Sequence, residues 1–185
     1  FLDLKKPEFK FLIIFIPLIT IWFFLYHYLY KIDFMLGINY SLLTGFSKLL
    51  SVQSNFILSI FNFQTSTEIH GDMVVAKILG HTYSHGVWIG EPCNGVKVFG
   101  LFTLFILAFP GSWKNKLWFI PLGIFIVHTV NAIRIAALTI ISAENPKALD
   151  FNHNITFQVI VYGLIFLLWY WWVQKLSGIT QTEIK

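Results

Sequence analysis

The 185-residue chain is 56% hydrophobic and only 12% charged, with 20 Phe and 7 Trp; a soluble domain of this size needs far more polar surface, so lipid is the solvent to reason with. The formal charge of +4 is modest and the lysines are spread along the chain, which excludes the concentrated basic face of a nucleic-acid binder. A single cysteine, Cys93, excludes an internal disulfide and leaves a free thiol, a metal ligand, a nucleophile or a bystander.

In chain order, residues 9–30 form the first apolar run, close to the roughly 20 residues needed to cross a hydrocarbon core of about 30 Å. Lys5, Lys6 and Lys10 lead into it and hold that end in the cytoplasm by the positive-inside rule, while Trp22, Tyr26, Tyr28 and Tyr30 mark its outer half. No small-residue cleavage site follows, so the run reads as a retained anchor, kinked at Pro17. Residues 39–63 differ in kind, because Ser41, Thr44, Ser47, Lys48, Ser51, Gln53, Ser54 and Asn55 interrupt the apolar positions. They predict an amphipathic helix lying in the outer interface, with a second crossing as the rival. Residues 65–92 carry short apolar clusters separated by Gly71, Gly80, Gly86 and Gly90, the punctuation of one or two short hairpins forming a small outer cap beside the thiol.

Three further apolar runs, at 94–109, 117–142 and 154–173, predict the remaining membrane helices. Lys114 and Lys116 in the connecting loop 110–116, and Lys175 after the last run, place those segments in the cytoplasm. Cys93 and the loop 144–153 then lie outside. Trp169, Tyr170, Trp171 and Trp172 read as an interfacial aromatic anchor. No internal repeat is visible. The whole, 1–185, is expected to be one all-α polytopic domain of the cell (inner or plasma) membrane: about four transmembrane helices, an interfacial helix and a short extracytoplasmic β-hairpin-like segment.

An ionisable residue inside a span costs free energy, roughly 2.5 to 3.5 kcal/mol for Arg at a helix centre, so Arg134, the only arginine, needs a reason. At about 1.5 Å per helical residue it stands roughly 26 Å above Leu117, Cys93 roughly 24 Å above Phe109 and His153 roughly 27 Å above Trp171. Three polar residues from three helices therefore converge near the outer interface. They are a coherent set for acyl transfer from a peptide bond. The imidazole can take the thiol proton or pair with a thiolate and later protonate the leaving amine. The guanidinium can stabilise the thiolate or a developing oxyanion. Asn131, three residues before Arg134, shares its helix face and either orients the site or packs.

Glu91-Pro92-Cys93-Asn94-Gly95, then Asn131-Ala132-Ile133-Arg134, then His153 at the head of the last helix, resemble the exosortase/archaeosortase family. Its members carry a Cys-Asn/Ser-Gly motif at an outer helix start, an Asn-x-x-Arg motif in the next helix and a His before another. The resemblance runs over residues 87–175, with Phe157 a departure where many members have a small residue. It implies a membrane-embedded cysteine protease or transpeptidase with its active site on the extracytoplasmic side and no cofactor. Cys93 would be the nucleophile, Arg134 the electrostatic stabiliser and His153 the general base, with Asn131, Asn94 and Gly95 in support. The implied partners are membrane-anchored proteins with a C-terminal sorting signal of short motif, transmembrane helix and basic cluster.

Two other readings of the same residues remain open at this level. His70, His81, His85 and Cys93 could together hold zinc as a closed four-ligand site, although the glycine-rich context does not put them on one helix face. A non-enzymatic membrane scaffold is the other. His128, six residues before Arg134, is expected to pack or hydrogen-bond rather than react, and Glu91 to be a solvated acid.

Overall fold

Apolar residues around the whole circumference, rather than along one stripe, make α1 (Pro7–Met35) a helix that is at home only in lipid. In the computed structural model, which describes residues 7–35, 42–70, 73–80, 86–90 and 93–178, Leu12, Ile13, Ile16 and Phe24 of this helix are exposed. Its inner stripe meets α3 (Val96–Ala108), with the Phe11 and Phe15 rings 5.1 and 5.9 Å from Phe105. Trp22 lies over Gly100, where any Cβ would collide with the indole. Small residues at such crossings let helix surfaces approach where no hydrophobic force drives them together.

α4 (Trp113–Glu144) is the axis of the molecule. Its 32 residues span about 48 Å, more than a hydrocarbon core. α3 and α6 (Phe157–Trp171) pack on its first half around Phe102, Phe119, Val127, Ile165 and Trp172. Gly123 of α4 leaves room for the Phe102 ring. Three helical stretches, Phe9–Tyr28, Trp113–Glu144 and Pro146–Leu176, are long and apolar enough to cross a membrane, and α3 is a shorter apolar helix. The chain is thus mainly helical, a polytopic membrane protein with a small sheet.

α2 (Leu42–Ile60) carries the amphipathic segment with its polar stripe turned inward. Ser47, Ser51 and Ser54 are buried while Val52, Phe56 and Ile60 are exposed. Ser51 Oγ and Thr67 Oγ1 share a hydrogen bond of 2.9 Å, and Asn55 Nδ2 donates to the same Thr67 oxygen at 2.7 Å. Leu50 clusters with Cys93, Ala132 and Ile135, and Leu58 with Ala136 and Ala143. The helix therefore runs alongside the second half of α4, in the same direction. Ser51 and Asn55 thus find their partner on Thr67, while the Ser54 hydroxyl is buried with no partner among the described residues, and the apolar stripe of the helix is outermost.

The glycine-punctuated segment forms one antiparallel sheet, β1 (Thr65–His70), β2 (Met73–Ile78) and β3 (Val87–Ile89), in the order β1-β2-β3. Thr67 pairs with Ala76 and Ala76 with Val87. Alternation along the strands puts Val74, Ala76, Ile78, Val87 and Ile89 on the buried face against α2 and α4. Trp88 and His70 face outward with their rings 5.5 Å apart.

Two expectations are corrected. Lys116 is not in a loop: it belongs to the first turns of α4, is buried, and donates from Nζ to Leu107 O at 2.8 Å. A cation there meets the negative end of α3. The aromatic tetrad also divides, since Tyr170 and Trp171 are exposed while Trp172 is fully buried against Phe119 and Trp169 stacks on Phe105 at 4.1 Å.

Candidate functional site

Cys93 lies in the tight turn between β3 and α3. Its N–H donates to Gly90 O at 3.0 Å, as does the Asn94 N–H at 3.1 Å. Asn94 Oδ1 accepts from Val96 N at 3.0 Å, satisfying one of the orphan donors at the start of α3. Gly95 has φ +80°, the left-handed region, and a Cβ there would stand 3.1 Å from Asn131 Nδ2 and 3.3 Å from Phe99 Cζ. The absent side chain admits the Asn131 amide, which donates to Cys93 O at 2.8 Å. Both backbone polar groups of Cys93 are thereby met by protein, while Asn94 Nδ2 is buried with no partner among the described residues.

Asn131 and Arg134, one turn apart on α4, are both buried. Arg134 Nη2 makes a long 3.4 Å hydrogen bond to His153 O, and its Nε is buried with no partner among the described residues. No carboxylate pairs with the guanidinium among the described residues; the one ion pair found there is His70 with Glu68, on the outer sheet. A buried cation with no carboxylate beside it among the described residues favours developing negative charge close to it.

His153 occupies a wide π-helical turn, Asn152–Thr156, that runs into α6. The expected loop before it is itself helical, through Pro146–Ala148 and α5 (Leu149–Phe151). π turns insert an extra residue and re-aim side chains, often at functional sites. Here the imidazole reaches back to the turn before α3: Cys93 Sγ and His153 Nε2 are 3.1 Å apart. Asn152 Nδ2 donates to Ala148 O at 2.9 Å, and His153 Nδ1 lies 3.0 Å from Asn154 Oδ1.

Cys93, Arg134 and His153 thus come together from three separate parts of the chain, with Asn131, Asn94 and Gly95 building the turn that carries the thiol. The profile of the family described as transmembrane exosortase (Exosortase_EpsH) matches residues 9–171. The chain belongs to the transmembrane exosortase family. No curated protein and no solved structure matches it.

The exosortase match takes in the sheet and α1 as well as the motif-bearing helices. Of the rival zinc set, His81 and His85 lie outside the described residues, and no group of metal-holding side chains forms among the described ones. His70 is on the outer face of β1, paired with Glu68 at 3.3 Å, while the Cys93 sulfur faces His153. Glu91 also lies outside the described residues. His128 packs against Phe99, ring centroids 6.0 Å apart, and both its nitrogens are buried without a partner among the described residues. Asn154 is the residue that sequence reading passed over. Its adjacency to His153 was visible, but nothing in the sequence announces the turn that brings the two side chains together.

Proposed function

We propose that this exosortase is a cysteine peptidase or transpeptidase with Cys93 as nucleophile, His153 as general acid-base and Arg134 as electrostatic stabiliser. The observation that carries the reading is the 3.1 Å approach of Cys93 Sγ to His153 Nε2. In the first step the imidazole takes the thiol proton and Sγ attacks the scissile carbonyl carbon, pushing its electron pair onto oxygen. The oxyanion collapses, the C–N bond breaks, and His153 returns the proton to the departing amine, leaving a thioester on Cys93. Water or an incoming amine then attacks the thioester carbon, giving up a proton to His153; the C–S bond breaks, and the imidazolium returns the proton to Sγ, restoring the thiol.

The guanidinium of Arg134, uncompensated by a carboxylate among the described residues, supports a role in holding the negative charge of that oxyanion. Asn131 holds the backbone of the nucleophile, and Gly95 makes room for it. The lysine distribution supports a site on the extracytoplasmic side, and the substrates on this reading are membrane-anchored proteins whose C-terminal sorting signal combines a short motif, a transmembrane helix and a basic cluster.

Intact-protein mass spectrometry after exposure to such a substrate tests the reading. A hydroxylamine-labile adduct on Cys93 in the wild-type protein, formed more slowly in His153→Ala, is the expected result. Substrate processing with no adduct on Cys93 in either protein, under conditions that trap a control thioester, sinks it.

A further inference from the structure

We propose that Asn154 is a positioning residue that completes a Cys93–His153–Asn154 arrangement by holding His153 in the tautomer whose bare Nε2 faces the thiol. The inference rests on the proposed pairing of Cys93 with His153 and adds the group that makes this pairing productive. A neutral imidazole has one N–H and one lone pair, and the partner of one nitrogen decides which is which. Asn154 Oδ1, 3.0 Å from Nδ1, can only accept. Nδ1 therefore carries the hydrogen, and Nε2, 3.1 Å from Sγ, is the lone pair that receives the thiol proton. With the amide turned over, Nδ2 would donate to Nδ1 and leave an N–H on Nε2, aimed at the sulfur and unable to take its proton.

Once Nε2 is protonated, both ring nitrogens are donors, and the same Oδ1 accepts from the imidazolium. A hydrogen bond to a charged donor is worth more than one to a neutral donor. Asn154 thus favours the thiolate–imidazolium state over the neutral pair. The rest of the turn holds the ring's backbone: the Phe157 N–H donates to Asn152 O, and Arg134 donates to His153 O. Neither contact selects a tautomer. Asn154 alone among the described residues touches Nδ1 in a way that does. It is exposed at the rim of the site, where competing water weakens the bond, so the expected effect is a modulation and not an abolition.

Because Cys93 is the chain's one cysteine, alkylation of the full-length protein by a small neutral haloacetamide reads this pair directly, without a substrate. Among the described residues, the charged or titratable groups facing His153 from packed elements are Cys93 and Arg134; Asp150 lies one turn earlier on its own segment. All three stay unchanged in the variants.

His153→Ala is expected to slow alkylation at neutral pH and push its onset to higher pH. Asn154→Ala is expected to follow in the same direction, slowing the neutral-pH rate by about three- to thirtyfold. Asn154→Asp, which keeps an acceptor on Nδ1 and adds a charge that favours the imidazolium, is expected to react at least as fast as wild type. Both substitutions are at an exposed position, so packing is untouched. If His153→Ala departs from wild type while Asn154→Ala does not, or if Asn154→Asp is as slow as Asn154→Ala, the positioning role is overturned and the Cys93–His153 pairing stands. If His153→Ala leaves alkylation unchanged, the pairing fails and the role of Asn154 goes with it.

Discussion

Replacing Gly95 with Ala puts the geometry of the nucleophile turn to a quantitative test. Two separable costs follow. An L-residue at φ +80° bears about 1–2 kcal/mol of left-handed strain. The new Cβ would also sit 3.1 Å from Asn131 Nδ2 and displace the amide from Cys93 O, losing a hydrogen bond and leaving a buried carbonyl unmet, about 1–3 kcal/mol. The sum is roughly 2–5 kcal/mol. The second term, but not the first, should vanish in an Asn131→Ala background, so a double-mutant cycle should show coupling of about 1–3 kcal/mol. Thermal unfolding in detergent, followed by the burst of Cys93 reactivity as the site opens, measures all four proteins. Gly163→Ala serves as control, because a Cβ there meets nothing within 4 Å, and it should be neutral or slightly stabilising. Additive effects of Gly95→Ala and Asn131→Ala would refute the claim that the glycine exists to admit the amide.

Lys116→Met should destabilise the protein by about 1–3 kcal/mol in the same assay, since Leu107 O loses a charged donor at the end of α3; a change within error would show the contact to be incidental. Trp172→Ala should cost about 3–5 kcal/mol as a buried aromatic deletion, whereas Trp171→Ala, at an exposed position, should shift stability by less than about 1 kcal/mol. Equal effects would reject the division of the tetrad. For activity, Arg134→Lys should fail badly despite keeping its charge, because an ammonium cannot reproduce a planar fork of donors, and His153→Ala should slow processing by about two to four orders of magnitude. Near-normal turnover by either would remove that residue from the chemistry.

The apolar runs were legible because hydropathy over a window reports directly on lipid, and the similar heights of Cys93, Arg134 and His153 followed from helix rise alone. Local readings failed where partners from distant segments decide the outcome. Ser51 and Asn55 on α2 read as ordinary polar positions until Thr67 of β1 arrives across from them. Lys116 looks like a loop residue until α4 is seen to begin at Trp113 and the carbonyl of Leu107 to stand 2.8 Å from its Nζ. A run of four aromatics resembles a belt, but whether Trp172 meets headgroups or the Phe119 ring depends on where the preceding turn ends. In the site, Gly95 was readable as part of a motif but not as the gap for Asn131, which is 36 positions away in the chain and meets it only through packing of α3 on α4. Asn154 was missed for a subtler reason, since neighbours on a regular helix point apart and only the π turn lets its side chain reach the ring.

The central claim is that the thiol facing His153 does the chemistry of this exosortase. Its most direct measurement is processing of a surface protein from the same cell that ends in a short motif, a single apolar helix and a basic cluster, with wild-type and Cys93→Ala chains present in the membrane at equal amounts. Complete loss of processing in Cys93→Ala, with the protein still inserted, is the predicted result. Cleavage at the wild-type rate by Cys93→Ala would contradict the account.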